Sequence, residues 1–175
     1  MLGGHPEWHL HMDIFEAIKL KNWDLAIFHP ECTRLTVTAN KWYKPEYSDR
    51  FPNIHEERKQ AISFFMALTK TNIPMVAIEN PIGIMSTEYR KPNQIIQPYQ
   101  FGDKERKSTC LWLNGLPKLI HTNIVIPEII TLKSGATMSK CHYDSAKLPK
   151  EERRKLRSKT FQGIADAMAD QWGCL

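Results

Sequence analysis

The sequence predicts an α/β fold in one domain, an open sheet with flanking helices, on three observations. Two short apolar runs, Leu25–Phe28 and Met75–Ile78, each lead into a polar residue or two and then a proline, His29-Pro30 and Glu79-Asn80-Pro81. Unbroken apolar runs of this length suit strands covered on both faces. Between them lies one helical stripe, Ala61, Ile62, Phe65 and Leu68. Strand, helix and strand over this distance form a βαβ unit, expected to be parallel and right-handed. A second stripe, Phe161, Ile164, Ala165, Met168 and Trp172, closes the chain as a helix that Gly173 stops.

Composition narrows the class. The chain has 175 residues, 42% hydrophobic and 25% charged, an ordinary globular balance with enough length for a core. No apolar run approaches the ~20 residues that cross a bilayer. Met1-Leu2-Gly3-Gly4-His5 lacks the basic-then-apolar pattern of a secretory signal. The expectation is a cytoplasmic protein with no membrane partner. Cys32, Cys110, Cys141 and Cys174 are too scattered for a disulfide framework.

Taken in order, residues 1–12 read as irregular. His5, His9 and His11 are not joined by another ligand pair, so no metal is expected there. Asp13 can cap a short helix, with Glu16 three residues on as in a capping box, and Ile14, Ala17, Ile18 and Trp23 on its buried side. The strand Leu25–Phe28 should stop at Pro30, which has no N–H for a ladder. Cys32 then falls in the loop at the carboxyl end of a parallel strand, the edge where open α/β sheets place their chemistry. Trp42 and Tyr43 either line a pocket or cover the core, and a proline-punctuated loop follows to Asn53. The helix is expected over Glu56–Thr71, ended by Asn72-Ile73-Pro74. Met75–Pro81 is the second strand, so Glu79 and Asn80 share a sheet edge with Cys32.

The second half is less periodic. Pro81–Asp103 is rich in amides, aromatics and hydroxyls, suits the reading of polar ligands or bases, and shows no evident helix or core element. Lys107–Leu113 is a strand, with Cys110 a small core residue and Asn114-Gly115 a turn. Pro117–Leu132 suggests short strands or extended loop, and Ser134-Gly135 a turn. Cys141-His142 lacks a second pair at zinc spacing. The net charge of +5 is concentrated in Lys147–Lys159. That segment is either a nucleic-acid patch or a solvated helix start or flexible stretch.

A cysteine and a glutamate at neighbouring strand ends point to nucleophilic catalysis. A thiolate adds to an electron-poor carbon while a carboxyl group engages a ring nitrogen, and Asn80 orients the same ligand. The structural alternative is a packing cysteine beside a capped turn.

These residues carry a resemblance. Phe28-His29-Pro30-Glu31-Cys32 resembles the Pro-Cys nucleophile loop of DNA cytosine carbon-5 methyltransferases. Glu79-Asn80-Pro81 is similar to that family's Glu-Asn-Val element, and Asp13-Ile14 to its short acidic element. Ser158–Ala169 resembles the family's last element, a Gly-Asn-Ser-Val loop running into a helix. Glu79–Leu119 is closer still to a group of short bacteriophage proteins usually labelled DNA cytosine methyltransferases. The resemblance spans residues 5 to 173 and implies a Rossmann-like methyltransferase-type sheet and a phage protein in the cytoplasm of a bacterial host. It implies Cys32 as nucleophile on cytosine carbon-6 and Glu79 as support for ring nitrogen-3. It further implies Asn80, Pro30, Arg90 and Thr33 at the substrate, Asp13 and His29 at the cofactor S-adenosylmethionine, and DNA as partner, with the target base flipped out of the duplex.

Three departures accompany it. Glu31 stands where the family has proline, and a carboxylate there raises the thiol pKa and repels phosphate. The glycine-rich cofactor loop and the acidic ribose contact are not found, and Gly3-Gly4 is too short to replace them. They belong to a first βα unit upstream, without which the nucleophile strand lacks a neighbour, so either the domain is N-terminally incomplete or another segment or a partner chain fills the gap. No separate target-recognition domain is evident, leaving Pro81–Asp103 and Ile120–Tyr143 to read DNA, with Arg90 or Arg106 matching the family's arginines loosely. Two alternatives stand beside methylation: an impaired relative that binds nucleic acid or a nucleotide as a counter-defence, and a Cys/Glu enzyme acting on a pyrimidine nucleotide without S-adenosylmethionine.

Overall fold

The two apolar runs pair as parallel neighbours. In the computed structural model, which describes residues 5–175, β1 (Leu25–Phe28) aligns Leu25 with Met75 and Phe28 with Ile78 of β2 (Met75–Pro81). Gly3-Gly4 lies outside the described residues. β4 (Thr109–Asn114) runs antiparallel to β2, from Val76 opposite Asn114 to Pro81 opposite Thr109. β3 (Gln94–Ile96) adds antiparallel to β4, giving one mixed sheet in the order β1-β2-β4-β3. A separate hairpin joins β5 (Ile129–Thr131) to β6 (Thr137–Ser139), with Gly135 at φ 81° in its turn. The chain is thus a single small α/β domain built on a mixed sheet with flanking helices.

Side chains opposite one another on paired strands share a face. Phe28, Ile78 and Trp112 fall on one face and bury against Phe65 and Leu68 of α2 (Ile54–Leu68). Ala77, Leu111 and Leu113 fall on the other, under Ile164, Ala167, Met168 and Trp172 of α6 (Gln162–Trp172). The result is helix, sheet, helix, as the two stripes predict. Leu25, Ala26 and Ile27 are only half-buried, because β1 is an edge strand with a neighbour on one side alone.

Local chemistry explains the ends. Asp13 caps α1 (Ile14–Lys19), accepting from Phe15 N at 2.8 Å and Glu16 N at 3.4 Å. Glu16 pairs with Lys19 at 2.7 Å instead of returning to the cap, so the box is one-sided. α2 starts two residues before the expected Glu56 and ends three before Thr71, with Thr69 and Thr71 turning their hydroxyls onto Met66 O and Leu68 O. The basic segment forms α5 (Lys150–Ser158), a helix with no buried residue, after the short α4 (Lys140–Ser145).

One expectation is corrected. Pro81–Asp103 contains α3 (Met85–Glu88) and β3, and it sends Met85, Ile96 and Phe101 into the core at 1%, 0% and 3% exposure. A four-residue helix is barely one turn and a three-residue strand a single alternation, too few positions for periodicity to reveal them. Trp42 and Tyr43 pack against side chains of the loop they sit in and of α2. Trp42 stacks edge-on with Tyr47 and Phe51, and Tyr43 sits under the Arg58 guanidinium at 3.3 Å while its hydroxyl donates to Arg34 O.

The loops after β1 and β2 are sewn together. Val37 N donates to Ile82 O at 3.1 Å and Ile84 N to Leu35 O at 2.8 Å, around a Thr36–Gly83 bridge. A Cβ on Gly83 would lie 2.1 Å from Leu35 O, which is backbone that cannot yield. Gly83→Ala should therefore cost about 1–3 kcal/mol of stability in urea unfolding. An unchanged midpoint would show that the loops can part without penalty.

Candidate active site

The parallel pairing of β1 and β2 carries Cys32, His29, Glu79 and Asn80 to one edge. Alternation along β2 then separates the last two. Glu79 shares the α6 face with Ala77, and Asn80 the α2 face with Ile78. His29 follows Ile27 on the α6 face, and its Nδ1 donates to Glu79 Oε2 at 3.0 Å. The carboxylate is 17% exposed and the imidazole 44%, so the ring stands between Glu79 and solvent.

Asn80 is 2% exposed, and its Nδ2 donates to Pro30 O at 2.9 Å. That bond fixes the loop entering Cys32. Its Oδ1 is buried with no partner among the described residues. Asn80 therefore acts on the nucleophile loop, from within the core, and Pro30 contributes its carbonyl to that anchor. Thr33 donates from Oγ1 to Glu31 Oε1 at 2.8 Å, holding Glu31 beside the loop.

The Cys32 thiol is pushed above its ordinary value, first by burial, next by the Glu79 charge, and least by Glu31. Lys107 opposes the shift. Cys110, opposite Asn80 on β4, is pushed up to about 11 by burial and by Glu79, as befits a core residue at 1% exposure. Lys107 is held by the neighbouring helices: its Nζ donates to Arg157 O at 3.0 Å and lies 5.8 Å from the centre of the Phe161 ring. Sequence reasoning passes over Lys107. Its proximity follows from β4 running antiparallel to β2, which returns the residues before Thr109 to the Cys32 edge.

Two expected site residues lie elsewhere. Arg90 donates to Asn93 Oδ1 at 2.6 Å and to Leu113 O at 3.1 Å. Leu113 pairs with Ala77 near the start of β2, so Arg90 belongs to the opposite end of the sheet. The segment through α3 leads the chain to that far end, and β3 then runs back to the Cys32 edge, where β4 begins. Asp13 spends its carboxylate on the α1 cap, and the side chain of His29 is engaged by Glu79.

A groove of about 670 Å³ opens beside the Cys32 loop, against α2. His29, Pro30, Glu31 and Thr33 of that loop line it with Arg34 and Glu57, and Cys32 does not. Arg34 is committed to Glu57 at 2.5 Å. Among the described residues, no three His, Cys, Asp or Glu side chains converge as a metal site, and no helix is long and apolar enough to cross a membrane.

The arrangement can present a thiol and a carboxyl group to one planar ring, with Lys107 favouring the thiolate and His29 holding the carboxylate. No protein-family model matches the chain, and no curated protein is significantly similar to it.

The electrostatics set a sign. Removing a carboxylate that raises the thiol pKa increases thiolate at a fixed pH. Glu79→Gln should speed iodoacetamide alkylation of Cys32 severalfold at pH 8, and Lys107→Gln should slow it. Mass spectrometry of the Cys32 peptide reads both, and equal rates in all three proteins would remove the electrostatic coupling.

Proposed function

We propose that the chain acts on cytosine in DNA by covalent addition of Cys32, the first half of cytosine carbon-5 methylation. The observation that carries the reading is the convergence of Cys32 and a held Glu79 at one sheet edge, with Lys107 returned to the same place. The Cys32 thiol loses its proton through water to the Glu79 carboxylate, helped by Lys107. The sulfur lone pair then forms a bond to carbon-6. The displaced π electrons move through carbon-5 and carbon-4 to nitrogen-3, which takes a proton from Glu79. Asn80 keeps the loop in register through Pro30.

The strand order also supports a Rossmann-like, methyltransferase-type sheet, since the nucleophile strand and the glutamate strand are adjacent and parallel. S-adenosylmethionine would supply the methyl group to carbon-5. The described residues do not make a cradle for it. Asp13 and His29 are engaged, and Gly83 at this edge is filled by the Leu35 carbonyl.

The raised Cys32 thiol favours a second reading, an impaired relative that binds nucleic acid in the same cleft. A duplex carrying 5-fluorocytosine separates the two, because addition at carbon-6 cannot then be resolved. The expected outcome is a denaturation-resistant adduct that Cys32→Ser abolishes and Cys110→Ser retains, whereas no adduct from the wild-type protein supports binding alone. Calorimetric titration with S-adenosylmethionine tests the donor separately.

A further inference from the structure

Away from Cys32, one surface is apolar where a surface should not be. Residues 120–128 run as an extended strap beside residues 99–104. Asn123 N donates to Gln100 O at 3.3 Å, Val125 N to Tyr99 O at 2.9 Å and Glu128 N to Lys104 O at 2.7 Å. The Gln171 side chain grips Ile120 twice, accepting from its N at 2.8 Å and donating to its O at 2.9 Å. With the backbone pinned, Ile120, Ile124 and Ile126 stand outward at 75%, 69% and 87% exposure. A lone exposed isoleucine is ordinary, but three on one held strap form a ridge. Their branched side chains are stiff at χ1, so little freedom is lost when they are buried.

The ridge stands at the Cys32 end of the sheet. β3 ends at Ile96 and β4 begins at Thr109, which lies opposite both Ile96 and Pro81. The segment between them, and the strap bonded to it, therefore extend from the edge that holds Cys32 and Glu79. Exposed Lys104 and Arg106 belong to the same segment. Lys107 ties that segment to the carboxyl end of basic α5. Of the nearby acids, Asp103 accepts from Gly163 N and Glu105 from Cys141 N, while exposed Glu128 closes the far end of the strap, two residues beyond Ile126.

We propose that the Ile120–Ile126 ridge is a wedge for duplex DNA. The surrounding cations hold phosphates, and the isoleucines enter between base steps and unstack the duplex beside the edge where Cys32 meets an extruded base. The inference rests on the DNA reading above. A ridge flanked by Lys104 and Arg106, on a chain of net charge +5, is complementary to a polyanion with an apolar interior, which favours DNA over a protein partner.

The test uses the full chain and a 30-base-pair duplex carrying 2-aminopurine, whose fluorescence rises on unstacking. The wild-type protein should bind it and raise the fluorescence. Ile124→Ser with Ile126→Ser, both exposed and outside the Cys32 site, should weaken binding about tenfold and remove the rise. The salt dependence of binding should stay unchanged, because the phosphate contacts remain. Lys104→Ala with Arg106→Ala should instead flatten the salt dependence. Absence of duplex binding by the wild-type protein overturns the inference, as does unaltered binding and fluorescence in the isoleucine variant. Loss of self-association in that variant by sedimentation, with DNA binding intact, also overturns it and marks the ridge as a protein interface. Unstacking without a 5-fluorocytosine adduct would leave the wedge standing and end the methylation reading, so the two failures are distinct.

Discussion

The parallel alignment of Leu25–Phe28 with Met75–Ile78 is the constraint on which the rest of the structure depends. It sets the two proline-terminated strand ends side by side, so the loops that follow must pack against each other. They do so through backbone bonds around Gly83 and through the bond from Asn80 to Pro30 O. A buried amide donor on a loop carbonyl is directional, and its loss would strand a polar group in the core. The position of Cys32 is thereby tied to the register of β2 rather than left to a free loop.

The antiparallel β4 adds the second constraint. A strand that returns beside β2 brings its preceding residues back to the edge where β2 ends. Lys107 arrives there, is anchored on the carboxyl end of α5 and over Phe161, and becomes the cation that opposes Glu79 at the thiol. Burial and two carboxylates still outweigh it. The Cys32 thiol is therefore protonated at rest, and a ligand that neutralises or displaces the Glu79 charge would lower its pKa, with burial still opposing ionisation. Glu31, held by Thr33, contributes least to that balance although it is nearest in sequence, because it is exposed and screened by water.

The α2 and α6 faces also divide the functions of neighbouring residues. Glu79 and Asn80 are consecutive, yet alternation sends one to the open edge under His29 and the other into the core. Reading both as ligand-facing treats a dipeptide as one surface, and a strand has two.

Much was legible in the sequence by itself. The two apolar strands, the helix between them, the closing helix, the Asp13 cap and the Gly115 and Gly135 turns each depend on spacing within a few residues, where pattern and local sterics decide. The sharing of one edge by Cys32 and Glu79 also followed, because a βαβ connection leaves little choice of direction. Tertiary structure decided what local pattern cannot encode. It made β1 an edge strand, hid α3 and β3 in a segment that reads as loop, sent Arg90 to the far end of the sheet and brought Lys107 to the near one. Strand order and the direction of a returning strand come from long-range pairing. A single side chain's neighbours across the sheet are set there and not by its position along the chain.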